Sequence, residues 1–153
     1  MKTSAIRKLL LIVLSAGTLF AFYTVVIDFM RFYSFEGTVF KINDCIVPNP
    51  VTTPCFYGAF GFLIALIWAW RLSVDNVKGW TRHLLFVIAC ILFAWGNFAY
   101  SLKRYYETLA TGHPVGCSGQ FVSNPWITPC FIGASIFLLT GIVAYRHWKR
   151  FKG

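Results

Sequence analysis

Cysteine is the residue type in this chain whose spacing could support chemistry. Four of the five cysteines form two pairs, Cys45 with Cys55 and Cys117 with Cys130, ten and thirteen residues apart. Cys55 and Cys130 each follow a Thr-Pro dipeptide, which favours the start of a helix. A thiol at the second helical position meets the positive end of the helix dipole, which favours the thiolate that disulfide exchange needs. Both pairs are therefore candidate redox thiols or structural disulfides.

The cysteine-bearing segments are copies of each other. Asn49–Ala59 and Asn124–Ala134 are identical at eight of eleven positions and lie 75 residues apart. A further match upstream joins Leu19–Phe22 to Leu92–Trp95. We therefore predict one membrane domain over residues 1–153, built from two tandem repeats at about residues 5–75 and 78–150.

The elements that carry these copies are apolar and long. The chain is 58% hydrophobic and only 12% charged, about half the usual charged share. Four apolar runs approach or reach the roughly 20 residues that cross a bilayer as a helix. The sequence predicts an all-α integral membrane protein with helices at Leu9–Phe29, Pro54–Trp70, Leu84–Leu102 and Thr128–Tyr145.

Charge distribution predicts the orientation. Both termini and the middle connection together hold ten Lys/Arg and one acid, whereas the other two segments hold four of each sign. By the positive-inside rule, both termini face the cytoplasm and both cysteine loops face outward across the inner membrane. Each repeat has two spans, so both repeats begin on the same side of the membrane and form a parallel internal repeat. Membrane lipids then account for the net charge of +9, without a nucleic-acid partner.

The predicted orientation indicates the oxidation state of the loop cysteines. Close thiols outside the cytoplasm are usually oxidised. The repeat favours pairing within each copy, so we predict the disulfides Cys45–Cys55 and Cys117–Cys130. We interpret Cys90, within the third apolar run, as a small hydrophobe.

Other candidate residues are few. No cluster of residues has the spacing of a metal site, and no charge lies near the middle of a span, which argues against a pump. Asn97 is expected to bond across to another helix, and Asp28 to pair with Arg31. A shallow outer pocket for a quinone or lipid is predicted at Phe56, Gly58, Phe131 and Gly133.

The span count, topology and cysteine placement resemble DsbB and the vitamin K epoxide reductase family of four-helix membrane thiol oxidoreductases. The chain departs from that family in lacking a Cys-x-x-Cys pair and an Arg just after the first cysteine pair. The resemblance implies a quinone cofactor and a thioredoxin-like partner, with redox roles for Cys45, Cys55, Cys117 and Cys130.

Three function classes follow. The first prediction is a non-enzymatic accessory subunit, with no catalytic residue or cofactor, that packs against a membrane-protein partner or a second copy of itself. The alternative is a quinone-linked thiol–disulfide oxidoreductase. The third is a binder of lipid or a small hydrophobic molecule.

Overall fold

The computed structural model describes residues 2–73, 75–116 and 121–152. Within these ranges it contains four α-helices, each long and apolar enough to span a membrane, and no β-strand beyond an isolated bridge between Val115 and Phe121. The helices are α1 (Lys2–Glu36), α2 (Pro54–Arg71), α3 (Val77–Leu109) and α4 (Pro129–Lys152). The all-helical class is therefore confirmed, together with four helices that are long and apolar enough to span a membrane.

Three helices extend past their apolar runs. Helices α1 and α3 have 35 and 33 residues, and α4 continues seven residues beyond its predicted end at Tyr145. At 1.5 Å per residue α1 is roughly 52 Å long, well beyond the roughly 30 Å hydrocarbon core. The predictions counted apolar residues only, but the flanking Lys, Arg and Glu residues are good helix formers and continue the same helices.

The first two helices form an antiparallel hairpin. The Arg7 guanidinium, near the start of α1, donates to the carbonyls of Trp70 and Leu72 at 3.1 and 3.0 Å, where α2 ends. The rings of Phe29 and Phe56 meet at the opposite end, with centroids 6.3 Å apart.

The last two helices form a second antiparallel hairpin. Trp148 Nε1 donates to Thr81 Oγ1 at 2.9 Å, and the rings of Phe98 and Phe131 meet at the other end with centroids 5.2 Å apart. Helix α1 packs on α4, and α2 packs on α3 and α4. We call the end of the bundle with both chain termini the termini end, and the end where α2 and α4 begin the loop end.

Two aromatic rings stack at the centre of the bundle, where α2 and α4 face each other. Phe62 of α2 stacks on Phe137 of α4, with ring centroids 3.6 Å apart and an interplanar angle of 10°. Gly17 lets α1 approach this stack, because an added Cβ there would lie 2.6 Å from a ring carbon of Phe62. Small residues at such crossings let membrane helices pack closely, since van der Waals contact drives their association.

Candidate functional site

Helix α2 begins in a turn built from the residues just before Cys55. Asn49 Oδ1 accepts from Val51 N at 3.0 Å and starts a short 3₁₀ turn over Pro50–Thr52. Thr53 is the N-cap residue and Pro54 the first helical residue, as the sequence predicted. The Thr53 hydroxyl, however, donates to the Pro50 carbonyl at 2.7 Å instead of capping the helix.

Helix α4 begins in the same way. Asn124 Oδ1 accepts from Trp126 N at 3.0 Å, and the Thr128 hydroxyl donates to the Pro125 carbonyl at 2.8 Å. Each local sequence therefore places its cysteine at the second position of a helix.

The packing of α2 beside α4 brings these two cysteines together. Cys55 Sγ lies 3.5 Å from Cys130 Sγ, although 75 residues separate them in the chain. Cys55 is a free thiol, partly buried among the helices. Cys130 is itself disulfide-bonded, and its contact with Cys55 joins the two hairpins.

The predicted Cys45–Cys55 disulfide is not formed. Both residues are free thiols, and Cys45 Sγ donates to the Lys41 carbonyl of its own loop at 3.5 Å. The prediction was wrong because Cys55 lies on the face of α2 that packs toward α4.

Hydrogen bonds hold the first loop in place of a disulfide. Asn49, only 2% exposed, donates through Nδ2 to the carbonyls of Val39 and Lys41 at 3.2 and 2.7 Å. Glu36 accepts from Lys41 Nζ at 2.8 Å and from the backbone N–H of Ile46. The bond to Glu36 raises the pKa of Lys41, because it stabilises the charged ammonium.

The second loop is described in part. Tyr105 OH donates to the Ser123 carbonyl at 3.2 Å, and Val122 N donates to the Pro114 carbonyl at 2.9 Å. Cys117 lies outside the described residues, so the Cys117–Cys130 disulfide stays a prediction.

The two sulfurs lie in the wall of a small apolar cavity of about 50 Å³, which opens to the outside of the bundle and which we call the central cavity. All four helices contribute to it, and the stacked Phe62 and Phe137 are among its lining residues. The lining residues are Phe20, Ala21 and Thr24 of α1; Pro54, Cys55, Gly58 and Phe62 of α2; Phe93, Ala94 and Asn97 of α3; and Pro129, Cys130, Gly133, Ala134 and Phe137 of α4.

Two glycines keep this cavity open. An added Cβ at Gly58 or Gly133 would meet nothing within 4 Å. Of the four residues predicted to line a pocket, these glycines line the central cavity. Phe56 and Phe131 are not among its lining residues and pack instead against Phe29 and Phe98.

Polar groups in the cavity wall are few. Asn97 Nδ2 donates to the Phe93 carbonyl of its own helix at 2.7 Å, so the predicted bond to another helix is not observed. One such bond leaves an amide with a second N–H and an oxygen for a ligand. The Thr24 hydroxyl donates to the Ala21 carbonyl at 2.8 Å. Sequence reasoning identified Asn97 as the most polar residue within a span but did not place it in a site.

The remaining candidates lie outside the cavity lining. Asp28, 8% exposed, forms the expected ion pair with Arg31 at 3.8 Å. Cys90 is a free thiol that packs against the core. No group of three His, Cys, Asp or Glu side chains within the described ranges could hold a metal ion.

These features define a small membrane bundle of two helical hairpins, with an apolar cavity that contains two adjacent cysteine sulfurs. No family model matches the chain, and no curated protein or solved structure shows significant similarity to it.

Proposed function

We propose that this protein is a membrane thiol–disulfide oxidoreductase in which Cys55 and Cys130 form the redox-active pair. The observation that carries the proposal is the 3.5 Å separation of their sulfurs in the wall of an apolar cavity. A disulfide has a bond of about 2.05 Å, so the sulfurs need to approach by only roughly 1.5 Å. The proposal selects the alternative function class from the sequence, because the geometry brings a free thiol, Cys55, beside the sulfur of a disulfide-bonded cysteine, Cys130, and thiol–disulfide exchange needs such a pair.

The chemistry balances with three cysteines, and it starts with Cys130 in a disulfide, as the structure has it. A substrate dithiol first reduces the predicted Cys117–Cys130 bridge and departs as a disulfide, which leaves thiols at Cys117 and Cys130. When Cys55 and Cys130 are then oxidised to a disulfide, two electrons and two protons leave. The Cys117 thiolate attacks Cys130, so the Cys117–Cys130 bond forms again and the Cys55 thiolate leaves. Cys130 is thus shared between the cavity pair and the predicted loop pair.

We propose a quinone as the electron acceptor, with its ring at the open side of the central cavity. A bound quinone would supply a two-electron, two-proton sink and leave as the quinol. The largely apolar wall suits its ring and the start of its tail, and the open space at Gly58 and Gly133 leaves room beside the sulfurs. The Asn97 amide would hydrogen-bond a ring oxygen.

The lining of the cavity also supports the proposed duplication. Cys55, Gly58 and Phe62 recur 75 positions later as Cys130, Gly133 and Phe137, and all six line the cavity. All three lining residues of α1 likewise have counterparts 73 positions later, since Phe20, Ala21 and Thr24 correspond to Phe93, Ala94 and Asn97. Two parallel hairpin repeats that face each other across the cavity would produce this pairing.

The proposed orientation places the loop end outside the cytoplasm. The Lys and Arg excess lies at the termini end. For a protein of the inner membrane, the positive-inside rule places that end in the cytoplasm. A thioredoxin-like partner would then meet the cysteines from the periplasmic side, where thiol oxidation is required.

The test is quinone reduction by purified, pre-reduced protein. We expect a short-chain quinone to be converted to quinol, followed by the loss of its absorbance, and a Cys55–Cys130 cross-link to appear in non-reducing peptide mass spectrometry. The Cys55→Ser variant should reduce quinone only at the background rate.

Cys90→Ser is the matched control, since Cys90 is another partly buried free thiol in a membrane-spanning helix. It should react like the wild-type protein. Equal quinol formation by the wild type and Cys55→Ser would refute the redox role.

A second candidate is a binder of a small hydrophobic molecule without redox chemistry. The open space beside Gly58 and Gly133 favours it independently of the sulfurs. A Gly133→Leu substitution would fill that space. We expect it to abolish retention of a hydrophobic ligand seen in native mass spectrometry, whereas Cys55→Ser would leave that retention unchanged.

The accessory-subunit function stays a prediction. Exposed apolar side chains cover the membrane-facing helices, among them Leu19, Ile64 and Leu92. Lipid and protein partners cover such faces equally well, because lipid tails are as apolar as leucine. Copurification of a stoichiometric membrane partner would favour this function over the redox role.

A further inference from the structure

A second concave surface lies between α3 and α4, on the outside of the bundle. Its apolar part is formed by Leu84, Ile88, Leu138 and Ile142, and its termini end by Arg146 and Lys149. It encloses about 900 Å³ of open groove. We call it the α3–α4 groove.

One glycine brings α4 close to α3 at the groove. Gly141 is buried and lines the groove, and an added Cβ there would lie 2.5 Å from the Cδ1 atom of Ile91, another lining residue. The residue 75 positions earlier in the first hairpin is Leu66. A leucine at position 141 would collide with Ile91, so the glycine is needed for this close packing of the two helices.

The charges at the groove are also specific to the second hairpin. Arg146 and Lys149 are both exposed, and neither forms an ion pair within the described residues. The corresponding positions in the first hairpin are Arg71 and a valine at position 74. The second hairpin therefore combines an apolar channel with two cations, spaced three residues apart near the end of α4.

We infer that the α3–α4 groove binds an anionic phospholipid. An acyl chain would lie along the apolar floor, and the phosphate would sit between Arg146 and Lys149. Basic pockets between membrane helices at the positive end of a bundle suit anionic headgroups. Arg and Lys stems extend along apolar surface while their charged heads reach the headgroup layer. Charge complementarity selects an anionic lipid over a zwitterionic one, and this inference does not depend on the redox proposal.

The test measures lipid retention by the full-length protein in detergent, using native mass spectrometry with equal amounts of phosphatidylglycerol and phosphatidylcholine. We expect the wild type to retain phosphatidylglycerol preferentially. The double substitution Arg146→Ala/Lys149→Ala should weaken that retention by about 30-fold, because each cation near such a surface contributes a factor of about five.

Arg71→Ala/Lys78→Ala is the matched control. It removes the same charge from exposed residues at the termini end, outside the groove. It should retain phosphatidylglycerol like the wild type. Equal losses in both double variants would mean that the preference is a general effect of charge, and the site would be refuted.

A second pair of variants tests the apolar channel with every charge kept. Ile142 lines the groove and is 45% exposed, and Ile67, its counterpart in the first hairpin, is 41% exposed. We expect Ile142→Trp to reduce lipid retention and Ile67→Trp to leave it unchanged. Retention unaffected by Ile142→Trp, or a copurified protein on this face instead of lipid, would overturn the inference.

Discussion

The two ends of the bundle differ in how the corresponding residues of the two hairpins are used. At the loop end several corresponding residues are identical, among them Cys55 with Cys130 and Gly58 with Gly133. They line one cavity between the hairpins, and both hairpins contribute to it.

At the termini end the corresponding positions are equally buried but chemically different. Leu10 and His83, 73 positions apart, are both 0% exposed, and Leu72 and His147, 75 positions apart, are 8% and 0% exposed. The His147 ring packs on Trp80 with centroids 4.3 Å apart.

The difference shows two ways in which one backbone arrangement can carry a site. Identical residues that meet across the bundle create a shared cavity. Residues that differ between the hairpins create features on one side only, such as the α3–α4 groove. The following predictions test this comparison, from the largest expected effect to the smallest.

The stacked phenylalanines at the centre should be the most sensitive to substitution. Phe62 is 1% exposed and stacks on Phe137, so Phe62→Ala leaves a cavity where the hairpins meet. We expect the free energy of unfolding to fall by about 3 kcal/mol, measured by denaturant unfolding in detergent.

Phe60→Ala is the control in the same helix, because Phe60 is 42% exposed. Its loss should stay below about 1 kcal/mol. Similar losses at both positions would show that the centre of the bundle is not specially packed.

The two loop asparagines should differ in importance although both begin the same motif. Asn49 accepts from Val51 N and donates to two carbonyls of its loop, whereas Asn124 accepts from Trp126 N and is exposed. We expect Asn49→Ala to cost about 2 kcal/mol and Asn124→Ala about 1 kcal/mol, by the same unfolding measurement. A larger loss at Asn124 would contradict this ranking of the loops.

The smallest effect on stability is expected at a position where the second hairpin has a histidine and the first hairpin has a leucine. His83→Leu removes a ring nitrogen that lies 3.0 Å from the Ala65 carbonyl, and it introduces the residue type that Leu10 already has in an equally buried place. The Ala65 carbonyl lies inside α2, where the N–H four residues later remains its partner, so stability should change by less than about 1 kcal/mol. A loss above about 2 kcal/mol would indicate that His83 has a specific role at the termini end.

Local features of the fold were predictable, and their physical basis is local. Thr53 and Pro54 begin α2 where the sequence indicated, because capping and proline geometry act within one turn. The ends of α1 and α3 were predicted too short, because an apolar count stops at the first charged residue whereas helical hydrogen bonding does not.

The partner of Cys55 was not predictable in this way. Its nearest cysteine in sequence is Cys45, ten residues away, yet its sulfur lies beside Cys130. That contact depends on which face of α2 packs against α4, and such packing involves residues far apart in the chain. The cavity around the sulfurs has the same origin, since all four helices contribute to its wall.

The sequence by itself determined the helices, their membrane-spanning character and the starting points of α2 and α4. These follow from apolar run length and from capping chemistry, both of which act between near neighbours. Only the tertiary structure decided that the two cysteine-bearing helix starts lie side by side, and that a groove lies between α3 and α4. Both outcomes depend on packing between helices. A glycine such as Gly141 in place of a leucine, or the rotation of a helix about its axis, changes which residues of a neighbouring helix come into contact.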